Sequence, residues 1–494
     1  MKALILRISM LLRILILLLG MAALMMVPSL ILAVALGEGK MIRAFALPVS
    51  VVLAAALPAL FSFRKTAFRL SLRHGFLLVF LTWVFMSLLG ALPYYLSGGG
   101  PGGPISFTDA VFESSCGFAT TGGSTIDDIE ALPRSLLLWR STSHWAGGMG
   151  IILLSVALMP LLGVGGFQLI KAETPGPDKE KITPRVTATA KLLWLSYCVL
   201  TAVLFLFLRL GGMDWFDALC HSFTIMASGG VSTKNAGIAF YNSPFIEWVC
   251  TVFMFLAAVN FNLYYRILKG KFKDIFTNSE GRAYLGIFIA AAAVVTVTLT
   301  PVYGSPGKAL RYAAYQCASI LSTTGAAITD YEAWPSLARM VLFCLMFIGG
   351  CSGSTAGGIK VIRLVVLLKQ GGNELRRVIY PRGIFSIRLN RKVGRRDVIY
   401  GTAGFVSLYL LVILVTTLLV AASAERTGMD LFSSFSTAVS ITGNIGIGFG
   451  AIGPEHNYAA FPDYLKWLFS FVMIAGRLEL WTVFILFTRE YRRQ

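Results

Sequence analysis

Four short stretches, Thr120-Thr121-Gly122, Ala227-Ser228-Gly229, Thr323-Thr324-Gly325 and Asn444-Ile445-Gly446, each close an apolar segment that is too short to cross a membrane. At ~1.5 Å per residue, a segment of about 12 residues makes a helix of ~18 Å, about half the thickness of a bilayer. A helix that ends at mid-membrane leaves its last carbonyls without intrahelical partners, and its C-terminal end carries about half a negative charge. Four such ends aimed at one axis favour a cation. Small side chains leave the main chain open, and glycine adds access to positive φ, so successive carbonyls can point inward. A ring of carbonyls can replace the hydration shell of a monovalent cation. None of the four triplets holds a carboxylate, whereas a divalent site draws on Asp or Glu. The chemistry expected is therefore coordination of K⁺ or a similar ion by backbone oxygen. A single Thr-Thr-Gly in an apolar chain more often serves close helix packing; four in register outweigh that reading.

The elements that must position these ends follow from self-similarity. The segments "FTDAVFESSCGFATTGGST", "WFDALCHSFTIMASGGVST", "LRYAAYQCASILSTTGAAI" and "LFSSFSTAVSITGNIGIGFG" repeat one pattern. With Gly122, Gly229, Gly325 and Gly446 taken as equivalent, the intervals are 107, 96 and 121 residues, each able to hold two spans and a half-helix. The spacing predicts spans over 73–97 and 136–165, 186–210 and 243–268, 283–304 and 335–368, and 397–423 and 462–488. Two further spans, 5–36 and 43–63, precede the repeats. The fold expected is an all-α integral membrane protein, with four span/half-helix/span repeats around one pore after two extra transmembrane helices. Its units are two N-terminal helices in 1–70 and pore repeats in 71–170, 171–275, 276–390 and 391–494. Backbone that leaves a helix at membrane depth is tolerated only where protein or a water-filled cavity satisfies it, so four interruptions imply one shared cavity.

Composition agrees: of 494 residues, 56% are hydrophobic and only 14% charged, with mean hydropathy +0.73, outside the soluble globular range. The net charge of +19 suggests nucleic acid in a soluble protein, but here it sorts by loop. Arg64, Lys65, Arg69 and Arg73, then Arg266, Lys269, Lys271 and Lys273, then Arg376, Arg377, Arg382, Arg388, Arg391, Lys392, Arg395 and Arg396 mark alternate loops as cytoplasmic. Asp109, Asp127, Asp128, Glu130, Asp214, Asp217, Asp330, Glu332 and Glu455 fall in the intervening connections, where acidic charge facing outward concentrates cations. Ten crossings place both termini in the cytoplasm. Lys2, Arg7 and Arg13 before the first apolar run resemble a signal peptide, but the run exceeds an h-region of ~7–15 residues and reads as a retained span. The seven cysteines show no paired spacing and read as buried free thiols. Nucleic-acid binding is not expected.

In the third repeat, Gly349-Gly350-Cys351-Ser352-Gly353-Ser354-Thr355-Ala356-Gly357-Gly358 sets five glycines among ten residues, each costing ~1 kcal/mol of helix propensity against alanine, so the helix is expected to break there. Close packing needs only two or three. Arg477 lies in "FVMIAGRLELW", where an ionised group costs at least ~2.5 kcal/mol unless paired or hydrated. Hydration in the pore or the carbonyls of 349–358 would satisfy it; a snorkelling arginine is the plainer alternative. Glu113, Arg140 and His144 are expected at interfaces, and Lys360 and Arg363 at the cytoplasmic boundary. The "GNIGIGFG" run follows no strand, which sets aside a dinucleotide loop.

These residues resemble the Trk/Ktr/HKT superfamily of potassium transporters, and most closely its bacterial TrkH-type branch. Beyond the four filter sequences, "AETPGPDKEKITPRVTATAKLLWLSY" (172–197), "HWAGGMGIILL" (144–154), "GGCSGSTAGGIKVIR" (349–363) and "GRLELWT" (476–482) carry the likeness over nearly the whole chain. The resemblance implies that the glycines matching Gly122, Gly229, Gly325 and Gly446 belong to a potassium filter. It implies that Gly350, Ser352, Gly353, Ser354, Thr355, Gly357 and Gly358 form an intramembrane loop that moves during gating, with Arg477 beside it. It also implies a homodimer in the lipid of the bacterial inner membrane and a cytoplasmic TrkA-like partner that binds ATP/ADP or NAD(H). The chain itself is expected to bind no cofactor, K⁺ being its cargo. "TGNIGIGFG" departs from the Asn-Asn-Leu-Gly-Pro-Gly style of that branch. Two other classes compete. An ion-coupled (H⁺ or Na⁺) symporter uses inverted repeats, whereas these share one orientation. A membrane enzyme lacks support, since no HExxH, GxSxG or carboxylate pair occurs in the spans.

Overall fold

The computed structural model describes residues 2–62, 72–99, 103–162, 186–270, 277–390, 392–393, 396–423 and 428–492. Arg64, Lys65, Arg69, Lys271, Lys273, Arg391 and Arg395, the end of the expected span at 163–165, and most of the 172–197 motif lie outside these residues.

Helix dominates. Two apolar helices, α1 (Lys2–Ala35) and α2 (Gly39–Ser62), pack on each other ahead of the first repeat. That repeat contains α3 (Leu72–Leu96), the short α4 (Phe107–Ala119) and α5 (Arg134–Leu162). The second has α6 (Val186–Leu210), the short α7 (Trp215–Met226), α8 (Pro244–Ala257) and α9 (Phe261–Leu268). The third has α10 (Ser279–Tyr303), the short α11 (Pro306–Leu321), α12 (Ser336–Met346) and α13 (Val361–Ile379). The fourth has α14 (Arg396–Ala421), the short α15 (Leu431–Gly443), α16 (Asp463–Arg477) and α17 (Leu480–Phe484). An antiparallel pair, Arg388–Leu389 with Lys392–Val393, is a small exception to the all-α expectation.

Among the described residues, six helices are long and apolar enough to cross a membrane. Three expected spans are not single rods. Residues 243–268 bend by 94° between α8 and α9, and 462–488 bend by 113° between α16 and α17. Apolar sequence continues on both sides of each bend, so hydropathy averaged over a span does not reveal them. At the first, the Asn260 side chain caps α9 by accepting from the Asn262 N–H (2.9 Å). At the second, Glu479 adopts a left-handed φ of 61°. The third, 335–368, stops at Met346 and resumes at Val361, and the glycine-rich run fills the gap.

Each short helix packs between the two helices that flank it in sequence, and each also touches a helix of the preceding repeat. α4 packs on α16, α7 on α5, α11 on α8 and α15 on α12. The fourth repeat thereby closes onto the first, and the C-terminal ends of all four short helices meet at one place. Apolar burial holds this arrangement: one core joins the N-terminal helices to the first, third and fourth repeats, and a second gathers around α6, α7 and α8.

The cysteines are free, but the expectation of uniform burial fails at Cys344, which is exposed, and at Cys198, which is half-buried. On an apolar helix, exposure to lipid is as acceptable to a thiol as burial in protein.

Candidate functional site

The short helices begin at capping residues. Ser106 accepts from the Asp109 N–H (3.1 Å), Asp214 from Phe216 (3.2 Å) and Asp430 from Ser433 (2.9 Å), while α11 starts with Pro306 at its first position. Hydrogen bonds from the Ser433 hydroxyl and N–H hold the exposed Asp430 carboxyl below the ordinary range.

Each helix ends in the same way, on a non-glycine residue forced into the left-handed region: Thr120 (φ 52°), Ser228 (58°), Thr323 (57°) and Asn444 (57°). Such a residue costs ~1–3 kcal/mol and persists only where its surroundings over-determine it. The next N–H reaches back five residues in every case: Thr121 to Cys116 O (2.9 Å), Gly229 to Thr224 O (2.8 Å), Thr324 to Ser319 O (2.8 Å) and Ile445 to Ser440 O (2.9 Å).

This geometry corrects the expected register of the second repeat by one residue. Ser228 is the partner of Thr120, Thr323 and Asn444, so the residue equivalent to Gly122, Gly325 and Gly446 is Gly230, not Gly229, and Ala227 precedes the turn. Two adjacent glycines left the choice open in the sequence. Gly230, Gly325 and Gly446 have φ of 63°, 73° and 99°.

The four turns meet. A Cβ placed on Gly122 would lie 2.9 Å from the carbonyl oxygen of Ile445, 3.1 Å from that of Thr324 and 3.3 Å from that of Gly229. Oxygens from the other three repeats thus surround the first, and Thr121 holds the corresponding position in its own segment. The Gly122 N–H donates to Ile445 O (3.0 Å). Beyond the ring, the main chain turns back on its own helix: Ser319 Oγ donates to Ala326 O (2.6 Å) and Ser440 Oγ to Ile447 O (2.8 Å).

A polar residue eight positions before the ring is buried in all four helices: Glu113, His221, Gln316 and Thr437. Once the register is corrected, this is a signal the sequence carries. Glu113 and Arg140, expected at interfaces, form an ion pair (3.2 Å) that is 1% and 3% exposed. Glu113 Oε1 accepts from Ser124 Oγ (2.7 Å) and the Thr125 N–H (2.6 Å), while Arg140 donates to Ser232 O (3.1 Å). His221 Nε2 lies 2.9 Å from Ser232 Oγ. The ascending limbs of the first two repeats are therefore tied to one buried network. His144 is also buried rather than interfacial, and a Cβ on Gly229 would fall on its ring. Further bonds between repeats close the rim: Asn235 Nδ2 to Asp128 (2.9 Å), Asn457 Nδ2 to Asp127 (2.7 Å) and Lys466 to Asp109 (2.6 Å), and within the fourth repeat the Tyr458 hydroxyl donates to Gly446 O (2.7 Å).

The glycine-rich loop lies against these turns. Cys351 N–H donates to Ala258 O (2.8 Å) and Phe261 N–H to Gly353 O (3.0 Å), so the break between α8 and α9 supplies the loop with backbone partners. Ser352 N–H donates to the Glu280 carboxylate (2.5 Å) and Ser354 Oγ to Cys351 O (2.6 Å). A Cβ on Gly350 would meet Ala258 and Ala356, and Gly349 and Gly358 are packed against each other. Gly357 N–H donates to Thr323 Oγ1 (2.7 Å). Arg477 Nη1 donates to Thr355 O (2.5 Å) and Nη2 to Gly147 O (3.1 Å), so its charge is met by carbonyls of the loop and of α5. Arg363 is not a free boundary residue: it pairs with Glu479 and lies 3.6 Å over the Phe405 ring. Lys360 donates to Ala356 O. Among the described residues no cluster of His, Cys, Asp or Glu could hold a metal ion; the oxygens that converge are main-chain ones, those of Gly229, Thr324 and Ile445.

Comparison with known proteins adds a family. The TrkH family of cation transport proteins matches residues 42–492. The Trk system potassium uptake protein TrkH of Halomonas elongata is 37% identical over 490 residues, 98% of this chain and 99% of that one. Its namesake in Escherichia coli K12 is 39% identical over 435 residues, 87% and 88% of the two chains. The crystal structure of the potassium transporter TrkH from Vibrio parahaemolyticus superposes with a TM-score of 0.86 at 34% identity, covering 98% of this chain and all of that one.

Proposed function

Because the chain belongs to the TrkH family of cation transport proteins, we propose that it carries potassium into the cell across the bacterial inner membrane, through a filter of backbone carbonyls. The observation that carries this reading is the convergence of Gly229, Thr324 and Ile445 oxygens within 3.3 Å of the Gly122 Cβ position. Carbonyl dipoles at the C-terminal ends of four helices offer K⁺ a substitute for its water without a fixed carboxylate. The family is one of transporters, and the chain is a transport protein rather than an enzyme.

Below the filter, the 349–358 loop obstructs the path and Arg477 adds a positive charge that repels cations. A cytoplasmic nucleotide-binding regulator, of the kind implied by membership of a Trk system, moves the loop. The chain works as a homodimer, with both termini in the cytoplasm. In purified proteoliposomes under a set membrane potential, tracer uptake follows K⁺ and Rb⁺ ahead of Na⁺ and Li⁺. Equal uptake of all four ions would remove the filter reading. Potassium uptake that requires a H⁺ or Na⁺ gradient would replace passive flow by symport.

A further inference from the structure

The filter turns and the loop are fastened through side chains, and Thr355 is the hub. Its hydroxyl donates to Ala257 O (3.0 Å) and lies 2.8 Å from Ser228 Oγ. A hydroxyl has one proton; with that proton on Ala257, Ser228 is the donor to Thr355. The Thr355 carbonyl receives the Arg477 guanidinium. Two residues on, the Gly357 N–H donates to Thr323 Oγ1, and a Cβ on Gly357 would fall on Gly443 O and lie 3.1 Å from Asn444 Cβ. Ser228, Thr323 and Asn444 are three of the four turn residues at the ends of the short helices that are held at positive φ. Each immediately precedes a residue whose carbonyl lines the ring: Gly229, Thr324 and Ile445.

We propose that Thr355 is a positioning residue for ion selectivity: through Ser228 it holds the second filter turn, and displacement of the loop loosens the filter as it opens the path. This rests on reading the loop as a gate. A left-handed residue relaxes when its restraints are removed, and the peptide it carries rotates with it. Loop and filter therefore change together, and the preference among ions depends on a residue that lies outside the ring.

The test compares Thr355→Val, which keeps the shape and removes the hydroxyl, with Thr355→Ser, which keeps the hydroxyl, in the full-length chain reconstituted in proteoliposomes. Ser228→Ala cuts the same bond from its other end, and folded protein is matched by gel filtration. The readout is the K⁺/Na⁺ permeability ratio, which does not depend on how much protein conducts. Thr355→Val and Ser228→Ala are each expected to lower the ratio about fivefold, the size of one lost hydrogen bond, while Thr355→Ser retains it. A ratio unchanged in folded Thr355→Val overturns the proposal, as does an equal fall in Thr355→Val and Thr355→Ser. If flux rises at constant ratio, the loop is a gate without this coupling; if the ratio falls with no rise in flux, the coupling stands and the gate reading fails.

Discussion

At Gly122 the backbone needs room rather than an unusual dihedral, because it is absent from the positive-φ residues while Gly230, Gly325 and Gly446 are among them. The difference predicts two outcomes for one substitution. Gly122→Ser is conformationally admissible but sets a side chain among three carbonyls, displacing that of Ile445; it should fold and lose about tenfold of K⁺ preference over Na⁺, or ~1.4 kcal/mol. Gly446→Ser adds the left-handed penalty of ~1–2 kcal/mol and drives its Cβ into the Gly122 backbone, so the folded yield should fall. Fluorescence-detected gel filtration followed by tracer flux separates the two. At this scale the triplets were legible in the sequence, since small residues after a half-length apolar run have few other uses. The register of the second was not, because Gly229 and Gly230 are identical in type and only the φ of Ser228 distinguishes their roles. The buried Glu113–Arg140 pair was misplaced for a related reason: hydropathy reports a charge in an apolar run but not the opposite charge that three-dimensional packing brings to it.

Half-helices are the elements most readily read from the sequence, because their length against the membrane leaves one geometry. Breaks are harder. The glycine run of 349–358 announces its own through propensity, whereas the bends after Ala257 and Arg477 carry no such run: one falls at Asn260 and the other between Arg477 and Glu479, and both are held by tertiary partners, since the loop takes Ala258 O and the Phe261 N–H, and Arg363 takes Glu479. The loop and Arg477 act as one unit in the proposed gate, since the guanidinium is bonded to Thr355 O. Arg477→Ala should therefore raise cation flux about tenfold, equivalent to ~1.4 kcal/mol of barrier, and reduce its dependence on the proposed cytoplasmic regulator. Loss of the guanidinium takes the donor from the buried Thr355 carbonyl, at ~1–3 kcal/mol, whereas Gly147 O lies within α5 and keeps its helical partner, so flux is normalised to folded protein. Wild-type flux in a folded variant would place the barrier elsewhere.

Over the whole molecule, contacts from each half-helix to the preceding repeat close four similar units into a ring, which a periodicity of glycines suggested but could not close. Sidedness came from charge alone. It predicts that a cysteine at the exposed Glu374, rather than at its buried neighbour Asn373, reacts only from the cytoplasm. One at the exposed Glu455 reacts only from outside, both in a background lacking the native Cys344. Reversed labelling would invert the topology. The central claim, that four main-chain turns form one cation site, is tested most directly by anomalous diffraction from crystals grown in Rb⁺. The account predicts a peak within coordination distance of the Gly229, Thr324 and Ile445 carbonyl oxygens, and its displacement by K⁺ but not by equal Na⁺. A ring that stays empty while Rb⁺ occupies a carboxylate site elsewhere would contradict it.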